Sequence, residues 1–314
     1  MRNTFVSTLC ELAERDDRIW LLCGDLGYSV LEKFAARFPD RYVNVGVAEQ
    51  NMTGVAAGLA MAGKVVFTYS IANFPIMRCL EQVRNDICYH RLNVKIVAVG
   101  CGLPYGTHGY THHGVEDVAV MRALPNMTVV APGDPIEARL ATHALAEREG
   151  PGYLRLGKGG EATVHADEPV FQIGRAIPVR EGGDVTLIAA GAILAETIRA
   201  AELLAERGIS AGVISMPSIA PLDVTTVLEA AARTRWIVTV EEHSVTGGLG
   251  SAVAEVLAEA PATGARLLRC GVTAGPYSVG GQAYLRGLNQ LDAAGIAQRV
   301  ASVVDMAGAR AGRR

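Results

Sequence analysis

Paired cysteines are missing from this 314-residue sequence. Its six cysteines show no Cys-x-x-Cys spacing, and most of them lie inside apolar runs. This pattern is typical of reduced thiols in a core, whereas a disulfide framework or a structural zinc site would require paired spacings. Cys101 lies in a glycine-rich loop instead. We predict neither disulfides nor a zinc centre.

Features that direct a chain to membranes or to nucleic acid are also missing. The formal net charge of −3 leaves no basic surface for nucleic acid. The first residues, Met1 to Phe5, lack the charged-then-apolar layout of a signal peptide. The longest apolar run, Val185 to Ala195, is shorter than the roughly 20 residues of a membrane span and contains Thr186 and Gly191. We therefore expect a cytoplasmic protein with no nucleic-acid or membrane partner.

The composition and the order of segments predict the fold class. Half of the residues are apolar, and glycine and alanine are abundant, as in α/β proteins with close helix–sheet packing. Short β-branched runs alternate with amphipathic stretches, which predicts mainly parallel sheets covered by helices. This alternation lapses after Leu156, where glycine, proline and charged residues dominate up to Gly183. The sequence therefore predicts two doubly wound α/β domains, residues 1–165 and 184–314, joined by a linker at 166–183.

One carboxylate begins an otherwise apolar helix. Glu49 stands in Val45-Gly46-Val47-Ala48-Glu49-Gln50-Asn51-Met52, and the next eight residues are almost all small or apolar. The helix dipole favours an ionised carboxylate in the first turn, and stabilising the helix is the ordinary role of such a residue. An apolar helix is predicted to be buried, however, and a carboxylate entering a buried interface requires a partner. A nitrogen atom of a ligand would be such a partner.

Three further segments contain polar and aromatic residues, and the first of them follows a predicted strand. In chain order they are Cys23-Gly24-Asp25-Leu26-Gly27-Tyr28-Ser29, Tyr69-Ser70-Ile71-Ala72-Asn73-Phe74, and Gly109-Tyr110-Thr111-His112-His113-Gly114. Together with the Glu49 segment, they resemble the pyrimidine-binding domain of transketolases and related thiamine-diphosphate enzymes. Val240-Glu241-Glu242-His243 and Gly247-Gly248-Leu249-Gly250-Ser251 resemble the transketolase C-terminal domain. The resemblance thus covers nearly the whole chain.

The resemblance implies a set of residues that bind the cofactor, thiamine diphosphate. Glu49 matches the glutamate that hydrogen-bonds N1′ of the aminopyrimidine and activates the thiazolium. Phe74 matches the aromatic residue that stacks on the aminopyrimidine ring. Asp25 and Leu26 match the loop that follows the first strand in this family. Ile71 falls at the position of a further stacking aromatic, so this sequence departs from the family there.

The resemblance also implies residues that contact the substrate. His112 matches the histidine of the family's Thr-His loop, which touches substrate or intermediate. His108 falls where the family has an aspartate that binds a substrate hydroxyl. Both histidines are therefore candidates for catalysis and for substrate binding, because they could exchange protons with the hydroxyl groups of a sugar.

A phosphate-binding set follows from the same alignment. Arg2, Ser29 and Arg155 match the three family residues that clasp a sugar phosphate, a task suited to the planar donors of arginine. Gly100 falls where the family has a phosphate-contacting histidine. These four positions are the predicted substrate-binding residues, and the glycine at position 100 leaves the identity of the sugar open.

One half of the family's active site has no counterpart in the sequence. The Gly-Asp-Gly…Asn motif that holds the diphosphate and its Mg²⁺ or Ca²⁺ is missing. The resemblance therefore implies a partner, an N-terminal transketolase subunit that carries this domain, and an α2β2 heterotetramer. The expected function is that of the C-terminal subunit, active only with its partner, in transfer of a two-carbon ketol unit from a ketose to an aldose.

Two alternatives remain. The chain could be the β subunit of a 2-oxoacid dehydrogenase or part of a 1-deoxyxylulose-5-phosphate-synthase-like enzyme. The pair of Arg2 and Arg155 disfavours the dehydrogenase, because decarboxylated oxoacids carry no distal phosphate. A non-catalytic regulatory subunit is the other alternative, and the presence of both Glu49 and His112 disfavours it.

Two local patterns suggest other chemistry but are weak. His108, His112 and His113 could suggest a metal site, but the glycines of their loop disfavour a helix that would align them, so we predict no metal ligands in this chain. Gly100-Cys101-Gly102 after a strand resembles a dinucleotide motif, but a polar loop follows it instead of a helix.

Overall fold

The computed structural model describes residues 1–261, 264–273 and 278–311. Its N-terminal part alternates strands and helices in the way the sequence predicts. The strands are β1 (Ile19–Cys23), β2 (Tyr42–Asn44), β3 (Val65–Ile71), β4 (Val94–Val99), β5 (Thr128–Val130) and β6 (Gly152–Leu156). The helices are α1 (Arg2–Arg15), α2 (Glu32–Arg37), α3 (Glu49–Met61), α4 (Leu80–Gln82), α5 (Asp117–Arg122) and α6 (Pro135–Glu147).

The C-terminal part repeats this alternation around a second sheet. Its strands are β7 (Ile177–Arg180), β8 (Val185–Ala190), β9 (Ala211–Ser215), β10 (Ser218–Ala220), β11 (Trp236–Ser244) and β12 (Arg266–Val272). Its helices are α7 (Leu194–Ala205), α8 (Val224–Arg233), α9 (Leu249–Glu259), α10 (Gln282–Leu288) and α11 (Ala293–Ala311).

Both sheets are mainly parallel, which confirms the predicted fold class. The first has the order β10-β5-β6-β4-β3-β1-β2, and the second has the order β12-β11-β8-β9-β7. Among the strands of the described residues, only the edge strands β10 and β7 run antiparallel to their neighbours. In doubly wound sheets, ligands bind beyond the carboxyl ends of the strands, so the loops after β1, β3 and β4 are the place to look for a site.

The segment predicted as a linker is partly built into the second sheet. Strand β7 lies inside residues 166–183 and pairs with β9. Pro178 and Arg180 make this strand look like a loop in sequence, but an edge strand tolerates a proline because one side of it needs no partner. The second sheet therefore begins before residue 184.

The two sheets share a continuous apolar core. One cluster of buried residues includes Leu22 and Met52 from the first domain and Ile214 and Val253 from the second. Strand β10, from the second half of the chain, extends the first sheet through its pairing with β5. The two domains are thus fixed to each other by packing as well as by the connecting chain. Among the residues that the structure describes, no helix is both long enough and apolar enough to cross a membrane.

Candidate functional site

The carboxyl ends of β3 and β4 gather most of the predicted site residues. Glu49 is the first residue of α3, which follows β2 and packs against β3. Phe74 lies in the turn after β3. His108 and His112 lie in two short 3₁₀ turns after β4, Gly106–His108 and Tyr110–His112. The parallel sheet therefore brings together residues that are more than 60 positions apart in the sequence.

Glu49 is a buried carboxylate with a cationic partner. Its side chain is only 2% exposed, and a side-chain carbon built on Gly24 would lie 3.3 Å from Glu49 Cγ. Glu49 Oε2 accepts a hydrogen bond from Nη1 of Arg78 at 2.9 Å. The sequence predicts a partner for this carboxylate, and in the free chain Arg78 provides it. Arg78 itself is half-exposed, with 49% of its side-chain surface accessible.

Arg78 also covers the predicted stacking aromatic. Its guanidinium carbon lies 4.8 Å from the centroid of the Phe74 ring. The His112 ring also neighbours Phe74, which it meets edge-on with centroids 5.3 Å apart. Glu49, Arg78, Phe74 and His112 thus form one continuous row of contacts.

The loop after β4 is held in place by hydrogen bonds from the side chain of Asn73 to its backbone. The Asn73 side-chain amide donates to the carbonyl oxygens of His113 at 2.7 Å and Thr111 at 3.2 Å. The rings of His108 and His112 lie 4.9 Å apart. Burial, reinforced by the neighbouring imidazoles of His108 and His113, lowers the pKa of His112. His112 is therefore neutral at physiological pH and can accept a proton.

The remaining predicted cofactor residues lie on the same edge of the sheet. Ile71 ends β3 beside Val99 of β4 and is half-buried. Asp25 and Leu26 lie in the loop after β1, where Asp25 exchanges hydrogen bonds with the side chain of Asn44. Leu26 packs against the core of the first domain. Among the described residues, neither Asp25 nor Leu26 forms a hydrogen bond with Glu49.

The structure corrects the prediction for Arg155. This residue is 6% exposed, and its guanidinium is bound within the protein. Nε donates to Asp117 Oδ2 at 2.7 Å, and Nη2 donates to Asp117 Oδ1 and to the carbonyl oxygens of Gly114 and Glu242. Although burial alone would raise it, Arg155 and His243 hold the pKa of Asp117 below its usual range. Arg155 is thus half of a buried ion pair at the domain interface and does not reach an open surface.

Lys158 was not among the residues predicted from the sequence, and it lies in the turn that approaches Arg2. A side-chain carbon built on Gly159 would lie 3.7 Å from Nε of Arg2. The adjacent Lys158 places its Nζ 4.6 Å from the centroid of the Tyr105 ring. Lys158 follows the buried strand β6 in a glycine-rich turn, which is the position of a ligand-binding loop in this kind of fold. Its position after a buried strand is the feature of the sequence that could have identified Lys158 as a candidate.

Tyr105 explains why position 100 is a glycine. Gly100 has a φ of 68°, and a side-chain carbon at this position would lie 2.0 Å from Cε2 of Tyr105. The Tyr105 ring therefore fills the space that a side chain at position 100 would use. Ser29, the fourth predicted substrate residue, lies in an exposed loop after β1, where its backbone N–H donates to Glu32.

Among the described residues, one group of potential metal ligands comes together away from this edge. Asp134, Glu137 and His165 have ligand atoms within 4.8 Å of one another. These atoms are already used: Asp134 accepts the backbone N–H of Glu137, and Glu137 binds His165 at 2.7 Å. The group caps α6 and fastens the chain near residue 165 to it. Because the atoms that could bind a metal ion already form hydrogen bonds, this cluster does not change the prediction of no metal ligands in this chain.

The residues at the ends of β3 and β4 fit the ring system of thiamine diphosphate. A buried carboxylate can bond a ring nitrogen, and the face of Phe74 can stack on a flat heterocycle. Both groups are in contact with Arg78, whose side chain is half-exposed. A flat ring with a nitrogen atom would therefore fit between Glu49 and Phe74, in the place of the Arg78 guanidinium.

Comparison with known families agrees with this geometry. Residues 1–160 match the family described as transketolase, pyrimidine binding domain, and residues 174–303 match transketolase, C-terminal domain. The chain belongs to the transketolase family. The first matched region contains six of the seven strands of the first sheet, and the second contains β10 and the five strands of the second sheet.

Relatives of this transketolase-family chain include separate subunits. It is 43% identical over 260 residues, 82% of this chain and 81% of the relative, to the 6-deoxy-6-sulfo-D-fructose transketolase subunit SqwH of Clostridium sp. (strain MSTE9). A solved structure described as a split gene transketolase, inactive beta4 tetramer, is 40% identical, covers 97% of both chains and has a TM-score of 0.87. The 1-deoxy-D-xylulose-5-phosphate synthase of Thermomicrobium roseum is 43% identical over 95% of this chain, which spans 48% of that enzyme.

Proposed function

We propose that this protein is the C-terminal subunit of a cytoplasmic, thiamine-diphosphate-dependent transketolase, which transfers a two-carbon ketol unit from a ketose to an aldose. The observation that carries this proposal is the row formed by Glu49, Arg78, Phe74 and His112, in which Arg78 joins a buried carboxylate to an aromatic ring that meets a neutral imidazole. Relatives named as transketolase subunits support the reaction class.

Each residue of this row has a distinct task. Bound thiamine diphosphate would supply the electron sink for breaking and forming the carbon–carbon bond. Glu49 would hold a proton between its carboxylate and the aminopyrimidine nitrogen, and Phe74 would orient the ring by stacking. His112, and His108 beside it, would take up and return the hydroxyl protons of the sugar.

The subunit arrangement is part of the same proposal. A partner subunit would hold the diphosphate and its Mg²⁺ or Ca²⁺, and two copies of each chain would form an α2β2 heterotetramer that alone is active. The names of the relatives support a separate partner, since one is a transketolase subunit and one structure comes from a split gene.

The substrate that we propose carries an anionic end group. The Clostridium relative is named for a sulfonated fructose, and relatives from two other bacteria are named for apulose 4-phosphate. Arg2 and Ser29 remain proposed ligands of such a group, whereas Arg155 is withdrawn because its donors face Asp117 and two carbonyl groups.

The test of the function is reconstitution. The purified chain should show no ketol transfer alone, and it should become active with thiamine diphosphate and a partner that carries the diphosphate-binding domain, encoded in a neighbouring reading frame. A complete mixture that releases CO₂ from pyruvate instead would indicate the synthase-like or dehydrogenase alternative. A mixture that binds the cofactor but transfers no ketol unit from any ketose would contradict the transferase function.

Substitution of Arg78 tests whether the cofactor displaces its guanidinium or whether Arg78 supports the bound cofactor. If its guanidinium stands in the place of the aminopyrimidine, Arg78→Gln should tighten cofactor binding to the assembled enzyme by about tenfold, because no ion pair has to be broken first. The same change should lower the stability of the free chain by about 1–3 kcal/mol, because it takes the cation away from the buried Glu49 carboxylate, although Arg78 itself is half-exposed. Fluorescence titration with the cofactor and urea unfolding measure the two effects.

The control for this experiment is Arg84→Gln, a change later in the same segment, where the exposed Arg84 donates a hydrogen bond to the exposed Asn85. It should alter neither quantity. Weaker cofactor binding by the Arg78→Gln variant would contradict the displacement and would assign Arg78 a supporting role in the bound state.

A further inference from the structure

The turn after β3 supports the loop that carries His112. A side-chain carbon built on Gly114 would lie 2.5 Å from Cβ of Ala72, so the end of this loop lies directly on the turn. Phe74, two positions after Ala72, meets the His112 ring edge-on. Asn73 therefore lies between two residues of the turn that contact the loop.

Asn73 binds the two peptide groups that flank His112. Its amide nitrogen donates to the carbonyl oxygen of His113 at 2.7 Å and to that of Thr111 at 3.2 Å. An amide group has two N–H hydrogens, so both bonds can form at once, whereas a serine hydroxyl has one hydrogen and a carboxylate has none. A single side chain thus holds the backbone on both sides of His112.

The orientation of this amide is set by its nitrogen. Its oxygen, Oδ1, is buried and has no hydrogen-bond partner among the described residues. A buried acceptor without a partner is unfavourable, so the two bonds that the nitrogen donates are what keep the amide in this orientation. The Asn73 carbonyl oxygen accepts the N–H of Met77 at 2.9 Å, at the start of the 3₁₀ turn Met77–Cys79. Both the backbone and the amide of Asn73 are therefore fixed.

The position of the His112 ring determines what the ring can do. Burial, reinforced by the neighbouring imidazoles of His108 and His113, lowers the pKa of His112. If the loop moved outward, water would reach the ring and the pKa would return towards its ordinary value. Proton transfer also requires the ring to stay within hydrogen-bond distance of a substrate hydroxyl, and a misplacement of about 1 Å can lower a rate about 10²-fold.

We propose that Asn73 is a positioning residue for the reaction, which holds the His112 imidazole in the place where it exchanges protons with the substrate. Asn73 acts through the peptide groups of Thr111 and His113. The inference rests on the proposed function, in which His112 takes up and returns the hydroxyl protons of the sugar. It adds a residue from another element to that function, since Asn73 follows β3 and His112 follows β4.

Titration of His112 in the free chain tests this inference without any reaction. The full chain carries ¹⁵N-labelled histidine, and the His112 signals are those that disappear in His112→Gln. In Asn73→Ala the midpoint of this titration should move to higher pH, because the loop loses its donors and water reaches the ring. Asn73→Leu fills the space of the amide without a donor, so it should give the same result, and it keeps the test open if the alanine variant does not fold.

The kinetic test uses the assembled enzyme. Asn73→Ala and Asn73→Leu should each lower kcat of ketol transfer about 10–100-fold, with KM for the ketose and the affinity for thiamine diphosphate changed less than about threefold. Because a proton acceptor must be neutral, the acidic limb of kcat against pH should move to higher pH in both variants. A role in folding alone would lower stability and leave this limb in place.

The control for both tests is Asn289→Ala. Asn289 is half-buried like Asn73, and its side-chain amide donates to the carbonyl oxygen of Leu285 in α10. The substitution removes an amide bond of the same kind outside the loop that carries His112. It should leave the titration of His112, kcat and the pH profile as in the wild type.

Two results overturn the inference. In an active enzyme, it fails if both Asn73 variants keep the kcat and the pH profile of the wild type, or if they raise KM with kcat unchanged; the function then stands without it. In an inactive mixture, it fails if His112 titrates in both variants as it does in the wild type. If no ketol transfer is found but the titration moves, the proposed function fails and Asn73 still positions the His112 ring.

Discussion

Glu49→Gln is expected to lower the rate of cofactor-dependent ketol transfer by about 10²–10⁴-fold, the range typical for loss of a positioned proton-transfer group. Glutamine has the same size and can still accept the hydrogen bond from Arg78. It cannot, however, hold or release a proton at Oε2. Because Glu49 is almost completely buried, water cannot take over this task. The expected loss is in kcat of the assembled enzyme, measured at saturating cofactor.

The control for this experiment is the Glu81→Gln variant. Glu81 is an exposed carboxylate in α4, so its substitution removes the same charge without touching the site. Thermal unfolding of both variants should match the wild type within a few degrees, which separates lost chemistry from lost structure. Activity of the Glu49→Gln variant within threefold of the wild type would contradict the proposed role of Glu49.

The residues of the Glu49 row could be predicted because each lies in a short segment next to a strand. The position of Glu49 at the start of an apolar helix follows from local pattern, whereas Phe74 and His112 were predicted because the short segments around them resemble segments of the family. The fold class was predicted for the same reason, since the alternation of β-branched and amphipathic segments is local. Arg78 had no such pattern, because its contact with Glu49 depends on how the turn after β3 folds back over α3.

The substrate end of the site was harder to predict, because its geometry is set by distant residues. Arg155 and Lys158 are three positions apart, and the sequence alone favours the arginine as an anion ligand. All five residues of β6 are buried, however, and Asp117, 38 positions away, takes up the arginine. The overlap of Tyr105 with Gly100 likewise arises from the path of a loop that Glu242 holds from the other domain. Such long-range contacts leave no periodic trace in the sequence.

Arg155→Met is expected to lower the free energy of unfolding by about 3–5 kcal/mol, because it leaves Asp117 buried and without its cation. Met has a similar length but donates no hydrogen bond, so Asp117 keeps the hydrogen bond from the Tyr153 hydroxyl and the more distant His243 ring, and the carbonyls of Gly114 and Glu242 lose a donor. Since the pKa of Asp117 is held below its usual range, this contribution should be constant at neutral pH and should be lost only as the pH falls through the acid range of carboxyl groups. Urea unfolding measures the change.

A matched surface pair and a double variant show that burial is the cause. Arg18 binds Asp16 through two nitrogens as Arg155 binds Asp117, but Arg18 is largely exposed, so Arg18→Met should cost no more than about 1 kcal/mol. Replacing both buried partners, Arg155→Met with Asp117→Leu, should recover part of the loss, because no charge is then left in the interior. A loss of 1 kcal/mol or less for Arg155→Met alone would mean that the buried pair does not hold the domains together. Arg155 would then again be available as a ligand for the substrate.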